Sequence, residues 1–477
     1  MEKKNTWETY SHKQLKEVES FAKEYMQFLD KGKTERECVD TIVNTIEKDG
    51  YQELSSVIKK KGKLKKGDKV YAVCMNKAIA MFRIGEKSME EGMNILGAHI
   101  DSPRLDVKQN PLYEEGGFAY LDTHYYGGVK KYQWVTIPLA LHGVIVKTDG
   151  TTVELSVGED EDDPVFFISD LLIHLAQEQL EKKASKVIEG EALDLIIGNK
   201  PLLLDKKSDK KDEKDPEEKA AAKDAVKKGI LAILKEKYDI EEEDFISAEL
   251  EIVPAGKARE AGFDRSMILA YGQDDRVCAF SSLKAMLEVE ESKRTACCLL
   301  VDKEEIGSVG ATGMESRFFE NTVAEVLNLL GEYSELTLRR CLSNSCMLSS
   351  DVSSAFDPSF ASSFDKKNVA FLGGGMVFNK FTGARGKSGS NDANAEYLAH
   401  LRHIFEKEKI NFQTAELGKV DLGGGGTIAY ILALYGMNVI DSGVAVLNMH
   451  APWEATSKAD VYETKRGYVA FLKGAEM

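Results

Sequence analysis

Cys297-Cys-Leu-Leu-Val-Asp-Lys-Glu304-Glu305 is a short apolar run that ends in adjacent carboxylates. Three other stretches have the same form: Asn94-Ile-Leu-Gly-Ala-His99-Ile-Asp101, Cys346-Met-Leu-Ser-Ser-Asp351 and Val444-Ala-Val-Leu-Asn-Met-His450. Each reads as a buried strand whose carboxyl end carries an oxygen or imidazole side chain. In an open α/β sheet, ligands bind beyond the carboxyl ends of the strands, so four such ends can converge on one crevice.

Outward from these runs, helical apolar spacing covers Ser11 to Lys31 and Glu35 to Lys48, followed by a strand signal at Val70-Tyr-Ala-Val-Cys-Met. From about Pro103 to Glu251 the texture changes to strand-like alternation, with glycine turns at Gly116-Gly117 and Gly127-Gly128. The run from Asp205 to Lys228 is dominated by Lys, Asp and Glu and reads as a solvated, mobile segment or exposed helix. After Phe245, short apolar runs alternate with helical patterns again. The expected architecture is α/β: a mixed sheet with helices on both faces over 1–103 and 253–477, interrupted by a β-rich insert over 104–252.

The chain has 477 residues, 43% hydrophobic and 30% charged, with a formal net charge of −16. That acidity argues against nucleic acid or an anionic membrane as the main partner. No run of about 18 apolar residues exists to cross a bilayer, and the polar start has no secretory h-region. Seven cysteines without paired C-x-x-C spacing fit a reducing cytoplasm.

The chemistry concentrates at the strand ends. In His99-x-Asp101, alternation puts both side chains on one side, where the carboxylate can accept one ring N–H and leave the other nitrogen for a metal. Glu304 and Glu305 repel each other unless a cation or proton lies between them. Pointing in different directions, one can bind a metal while the other faces a water. The Gly-rich stretch from Ile306 leaves room for a ligand. Asp274-Asp275 reads either as a cap for the helix that begins near Arg276 or as the source of a bridging carboxylate, and spacing does not separate these readings. The candidate ligands are His99, Asp275, Glu305, Asp351 and His450, with Glu304 left uncoordinated. Two imidazoles and three carboxylates suit Zn²⁺, Co²⁺ or Mn²⁺ rather than a structural thiolate site. Gly423-Gly-Gly-Gly-Thr427 reads either as backbone N–H groups for substrate, with Gly425 at its centre, or as a turn before a helix.

Several segments resemble the metallopeptidase family that includes aspartyl aminopeptidase, over most of the chain. They are Gly97-Ala-His-Ile-Asp-Ser-Pro-Arg104, Ser169-Asp-Leu-Leu-Ile-His-Leu-Ala176, Phe245-Ile-Ser-Ala-Glu-Leu-Glu-Ile-Val-Pro-Ala255, Asp302-Lys-Glu-Glu-Ile-Gly-Ser308 and Leu447-Asn-Met-His450. The resemblance implies two divalent ions, zinc first, bridged by Asp275. His99 and Asp351 would hold one ion, and Glu305 and His450 the other. Glu304 would be the general base, and Asp101 would orient His99. It further implies a peptide substrate with a free N-terminus and a homo-oligomer, a tetrahedral dodecamer assembled through the insert. Tyr132 stands where the family has a histidine. Lys387 is kept and can pair with an acidic side chain, but the Gln-Arg pair that follows it in the family is lost, so both an acidic-residue preference and a broader or neutral specificity are open. Two rival readings are a related two-metal amidohydrolase or carboxypeptidase, and a catalytically silent assembly or cargo protein.

Overall fold

The computed structural model describes residues 5–202 and 224–476. The first two expected helices form as His12–Lys31 and Glu35–Ile46, each opened by a capping box at Ser11 or Thr34. Such a cap contributes about 0.5–2 kcal/mol by satisfying amides that have no helical partner. Most of the charged run from Asp205 lies outside the described residues. Its end enters the helix Ala225–Tyr238.

The chain divides into two compact units, Met1–Ser102 with Lys257–Met477, and Pro103–Gly256. The larger begins with β1 (Gln52–Glu53), β2 (Lys69–Cys74), β3 (Ala78–Arg83) and β4 (Met93–His99). The smaller holds β5 (Arg104–Glu115), β6 (Phe118–Tyr126), β7 (Leu139–Val146), β8 (Thr152–Val157), β9 (Leu195–Gly198) and β10 (Ala248–Pro254), joined in one sheet of order β8-β7-β10-β5-β6-β9. All its pairings are antiparallel. The division expected at 252/253 falls inside β10, which pairs with β7 along its whole length and therefore ends the smaller unit.

The larger unit resumes with β11 (Arg259–Ala261), β12 (Met267–Ala270), β13 (Thr295–Val301), β14 (Cys346–Ser349), β15 (Ser353–Ser354), β16 (Met376–Asn379), β17 (Phe412–Thr414), β18 (Asn438–Gly443), β19 (Ala445–Leu447) and β20 (Glu454–Ser457). Nine of its strands form a mixed sheet of order β1-β2-β3-β13-β4-β14-β18-β16-β17. At its centre, β13, β4, β14 and β18 run parallel, and His99 lies in register with Val301. A second sheet, β11-β12-β20-β19-β15, carries the approach to His450.

Alternation along the central strands feeds two cores. On β13, Cys298 and Leu300 join a cluster with the helices His12–Lys31, Gln273–Glu288 and Lys458–Gly474. Cys297, Leu299 and Val301 join another with Phe318–Leu330 and Ala429–Ala433. A strand with helices on both faces has to be apolar on both, which explains why these runs are continuously hydrophobic. Both cores hold the parallel strand ends at one edge, where the candidate residues gather.

One close approach ties the sheet to that edge. A Cβ on Gly443 would collide with the main-chain carbonyl of Asp351, whose carbon would lie 2.7 Å away, and would meet Cys278 Sγ at 3.0 Å. Gly443→Ala is expected to lower stability by about 1–3 kcal/mol through overpacking, read as a shift in the urea midpoint. An unchanged midpoint would mean that the Asp351 segment yields freely.

Candidate metal centre

The Glu304-Glu305 doublet sits on a single 3₁₀ turn, Glu304–Ile306, flanked by left-handed residues Lys303 (φ 73°) and Gly307 (φ 99°). Two buried aspartates hold this turn. Asp302 Oδ1 accepts the Lys303 N–H at 2.7 Å, and its Oδ2 accepts the Thr312 hydroxyl at 2.6 Å. Asp101 accepts the N–H of Glu304 at 3.2 Å through Oδ1 and that of Glu305 at 3.1 Å through Oδ2.

His99 ends β4 beside this turn and is 1% exposed. Its Nδ1 lies 3.0 Å from the Asp101 carbonyl and 3.3 Å from Asp101 Oδ1. Both neighbours are acceptors, so Nδ1 carries a proton. Nε2 faces three carboxylates: Asp274 Oδ1 at 3.2 Å, Glu304 Oε2 at 3.9 Å and Asp351 Oδ1 at 3.9 Å. Across the site, His450 Nε2 lies 3.2 Å from Asp274 Oδ2 and 3.5 Å from Glu305 Oε2. His450 adopts the left-handed region (φ 65°), and its N–H donates to Glu454 Oε1 at 2.9 Å.

The place between the two imidazoles is taken by Asp274, not by Asp275 as the family resemblance implied. Asp274 has extended ψ (106°) ahead of the regular helix and projects into the crevice. Asp275, also outside helical φ/ψ (φ −115°, ψ 27°), points inward beside the Cys278 thiol with both carboxylate oxygens buried. Burial pushes the Asp275 carboxyl well above its usual range. Burial acts upward on Asp274 too, but the hydrogen bonds from His450 and His99 outweigh it and hold this group low. Two identical adjacent side chains gave no local signal for choosing between them.

Burial and like charge dominate the electrostatics of the cluster. Burial, then the Asp274 charge, raises Glu305 well above the carboxylate range, and Asp351 rises by burial and the charges of Glu304 and Asp274. Glu304 is pushed up to about 7, first by burial and then by Asp274 and Asp101, with His99 opposing. Like charges in a buried site need a cation or a proton to coexist. The donor set fits a cation: His99, Asp274 and Asp351 offer ligand atoms within 4.8 Å of one another, as do Asp274, Glu305 and His450, and as do His99, Glu304 and Glu305. Glu305 Oε1 is buried without a hydrogen-bond partner. Oxygen and imidazole donors of this kind suit zinc and its borderline neighbours.

Sequence reasoning missed Glu454. Besides the His450 amide it accepts the Asp274 N–H through Oε2 at 3.1 Å, so one buried carboxylate fixes the main chains of both residues. The spacing His450-x-x-x-Glu454 was the available signal. Of the expected substrate residues, Lys387 lies in a hairpin with its ammonium 2.8 Å from Asp392 Oδ2 and 3.8 Å from the Phe381 ring centre. Gly425 lies in the run before Ala429–Ala433. Tyr132 is in the smaller unit, on the turn Lys131–Gln133, and is 43% exposed.

Known proteins resemble this chain along nearly its whole length. The family described as aminopeptidase I zinc metalloprotease (M18) matches residues 28–472. A probable M18 family aminopeptidase 1 from Clostridium acetobutylicum is 62% identical over 471 residues, covering 99% of this chain and 98% of that one. The crystal structure of an M18 aminopeptidase from Thermotoga maritima superposes with a TM-score of 0.92 at 43% identity, covering 100% of both chains. An S. cerevisiae mApe1, whose structure is a dodecamer, shares the fold at 20% identity, with a TM-score of 0.72 over 94% of this chain and 95% of that one. With a profile match along nearly its whole length and a close relative of the same extent, the chain belongs to the M18 family of zinc aminopeptidases.

Proposed function

We propose that the larger unit is a two-metal aminopeptidase centre that removes the N-terminal residue from peptides. The observation that carries this reading is the Asp274 carboxylate spanning two imidazoles, His99 and His450, each 3.2 Å from one of its oxygens. His99, Asp274 and Asp351 would hold one ion, and Asp274, Glu305 and His450 the other. When bound, the ions supply Lewis acidity to the scissile carbonyl and bring the attacking water toward neutral acidity. Asp101 orients His99 and anchors the doublet. Glu304 takes the proton from water and returns it to the departing amine. The carboxylate-rich crevice favours the free ammonium of a substrate and so disfavours internal peptide bonds.

Lys387 carries the case for an acidic first residue, yet its ammonium is already paired with Asp392, so a substrate carboxylate would have to displace that partner. Broad or neutral specificity is the reading we adopt, with Gly425 on the substrate side. Assembly through the smaller unit is supported by Leu171, Leu172, Ile173 and Leu175, which are 46–68% exposed. Contiguous exposed apolar surface of this kind marks interaction sites, and the fold relative noted above is a dodecamer. The free cysteines suit a reducing cytoplasm.

The decisive assay compares unblocked aminoacyl anilides with N-acyl amino acids on Zn²⁺-, Co²⁺- and Mn²⁺-loaded protein. Cleavage restricted to the unblocked set is expected, and cleavage of the N-acyl set alone would favour an amidohydrolase. Glu304→Gln should lower kcat by about 10²–10⁴-fold while elemental analysis still finds metal, and near wild-type turnover in the loaded variant would remove the base assignment. Asp274→Asn should lose bound metal, whereas Asp275→Asn, a near-isosteric change at a side chain turned away from both imidazoles, should keep it. The reverse pattern would return the bridge to Asp275. Sedimentation velocity should find an assembly larger than a monomer, and Leu172→Glu with Leu175→Glu should shift it toward smaller species. A monomeric wild type would end the assembly reading.

A further inference from the structure

Gly423-Gly-Gly-Gly-Thr427 contains two kinds of glycine. A Cβ on Gly423 would strike the main-chain oxygen of Leu417, and one on Gly424 (φ 109°) would strike the main chain of Gly383 and Ala384. These two are required by backbone-to-backbone packing. Gly425 and Gly426 are not. A Cβ on Gly425 would meet only Leu417 Cδ2, at an ordinary 3.7 Å, and one on Gly426 would have no neighbour within 4 Å. Neither adopts the left-handed region. Glycine at such positions gives up conformational entropy for no steric return, and its remaining use is to let another molecule approach the backbone.

The next residue fixes where that open backbone lies. The Thr427 hydroxyl donates to Asp441 Oδ1 at 2.6 Å and accepts the Ala429 N–H at 3.3 Å. Asp441 is fully buried within β18, in register with Ser349 at the end of β14, two residues before Asp351. Its Oδ2 is buried without a hydrogen-bond partner. A carboxylate half-satisfied in the middle of a sheet is a poor choice for packing alone. It lies close enough to Glu304 for that charge to help raise it, after burial, to about 7.

We propose that Gly425 and Gly426 form an edge that receives the main chain of the peptide substrate, and that Thr427 and Asp441 are positioning residues that hold this edge beside Glu304. The proposal deepens the aminopeptidase reading and rests on it for the identity of the ligand. Because Cβ atoms at 425 and 426 have room, Gly425→Ala and Gly426→Ala should leave the thermal midpoint unchanged or higher. For an unblocked aminoacyl anilide they should raise KM at least fivefold, with kcat within about twofold. Thr427→Val should raise KM similarly and speed amide hydrogen exchange across 423–429, and Thr427→Ser should restore both. Metal content, read by elemental analysis, should be unchanged in all four variants. An unchanged KM in both alanine variants would overturn the substrate edge. Exchange across 423–429 unchanged in Thr427→Val would overturn the positioning role. If the wild-type protein hydrolysed no unblocked substrate, the functional reading would fail, while the exchange comparison would still decide the Thr427–Asp441 role.

Discussion

The arrangement depends on one carboxylate held between two imidazoles. Asp274 reaches His99 with one oxygen and His450 with the other, and Glu304, Glu305 and Asp351 then close in around it. Four acids gathered around two rings in a largely buried space repel one another unless positive charge is supplied. The scaffold must hold them in place against that repulsion. It does so through the main chain. Asp101 binds the amides of both glutamates, and Glu454 binds those of Asp274 and His450. In each case a carboxylate that does not join the central cluster sets the direction of two side chains that do.

This division of labour explains why the site lies at the ends of parallel strands. Parallel β4, β13, β14 and β18 stop at one edge, with their alternate residues committed to two cores. Side chains at and beyond the last paired residues are free of both cores, and charge can be gathered there without breaking the hydrophobic layers. His99 and the Glu304 turn come together because their strands are adjacent and in register. Asp351 arrives from the next strand over, and the close approach of Gly443 to its main chain keeps it there.

Much of this was legible in the sequence, because a strand buried on both faces is mostly apolar and gathers its polar side chains where it leaves the sheet. The continuous apolar runs reported two-sided burial, and His99, Glu304, Glu305, Asp351 and His450 all gather where the strand-end pattern put them. What escaped was decided by backbone direction. Asp274 and Asp275 are chemically identical, and their different backbone angles (ψ 106° and 27°) send one to the crevice and the other toward Cys278. Glu454 was hidden for a related reason, since its role is to bind amides, which leave no mark in a side-chain pattern. Strands β1 and β3 carried signals too short or too ordinary to separate from their surroundings.

The same contrast bears on the substrate side. Residues that hold charge are selected by chemistry and stand out by type, whereas residues that admit a peptide backbone are selected for what they lack. Gly425 and Gly426 look like Gly423 and Gly424 in the sequence. They differ only in whether a Cβ would meet protein or open space. Lys387 shows the converse: its type marks it as a partner for an acid, yet its surroundings already supply one in Asp392. Specificity in this crevice is therefore a property of open space and prior pairing, and the reacting bond is easier to read from residue types than the side chain that precedes it.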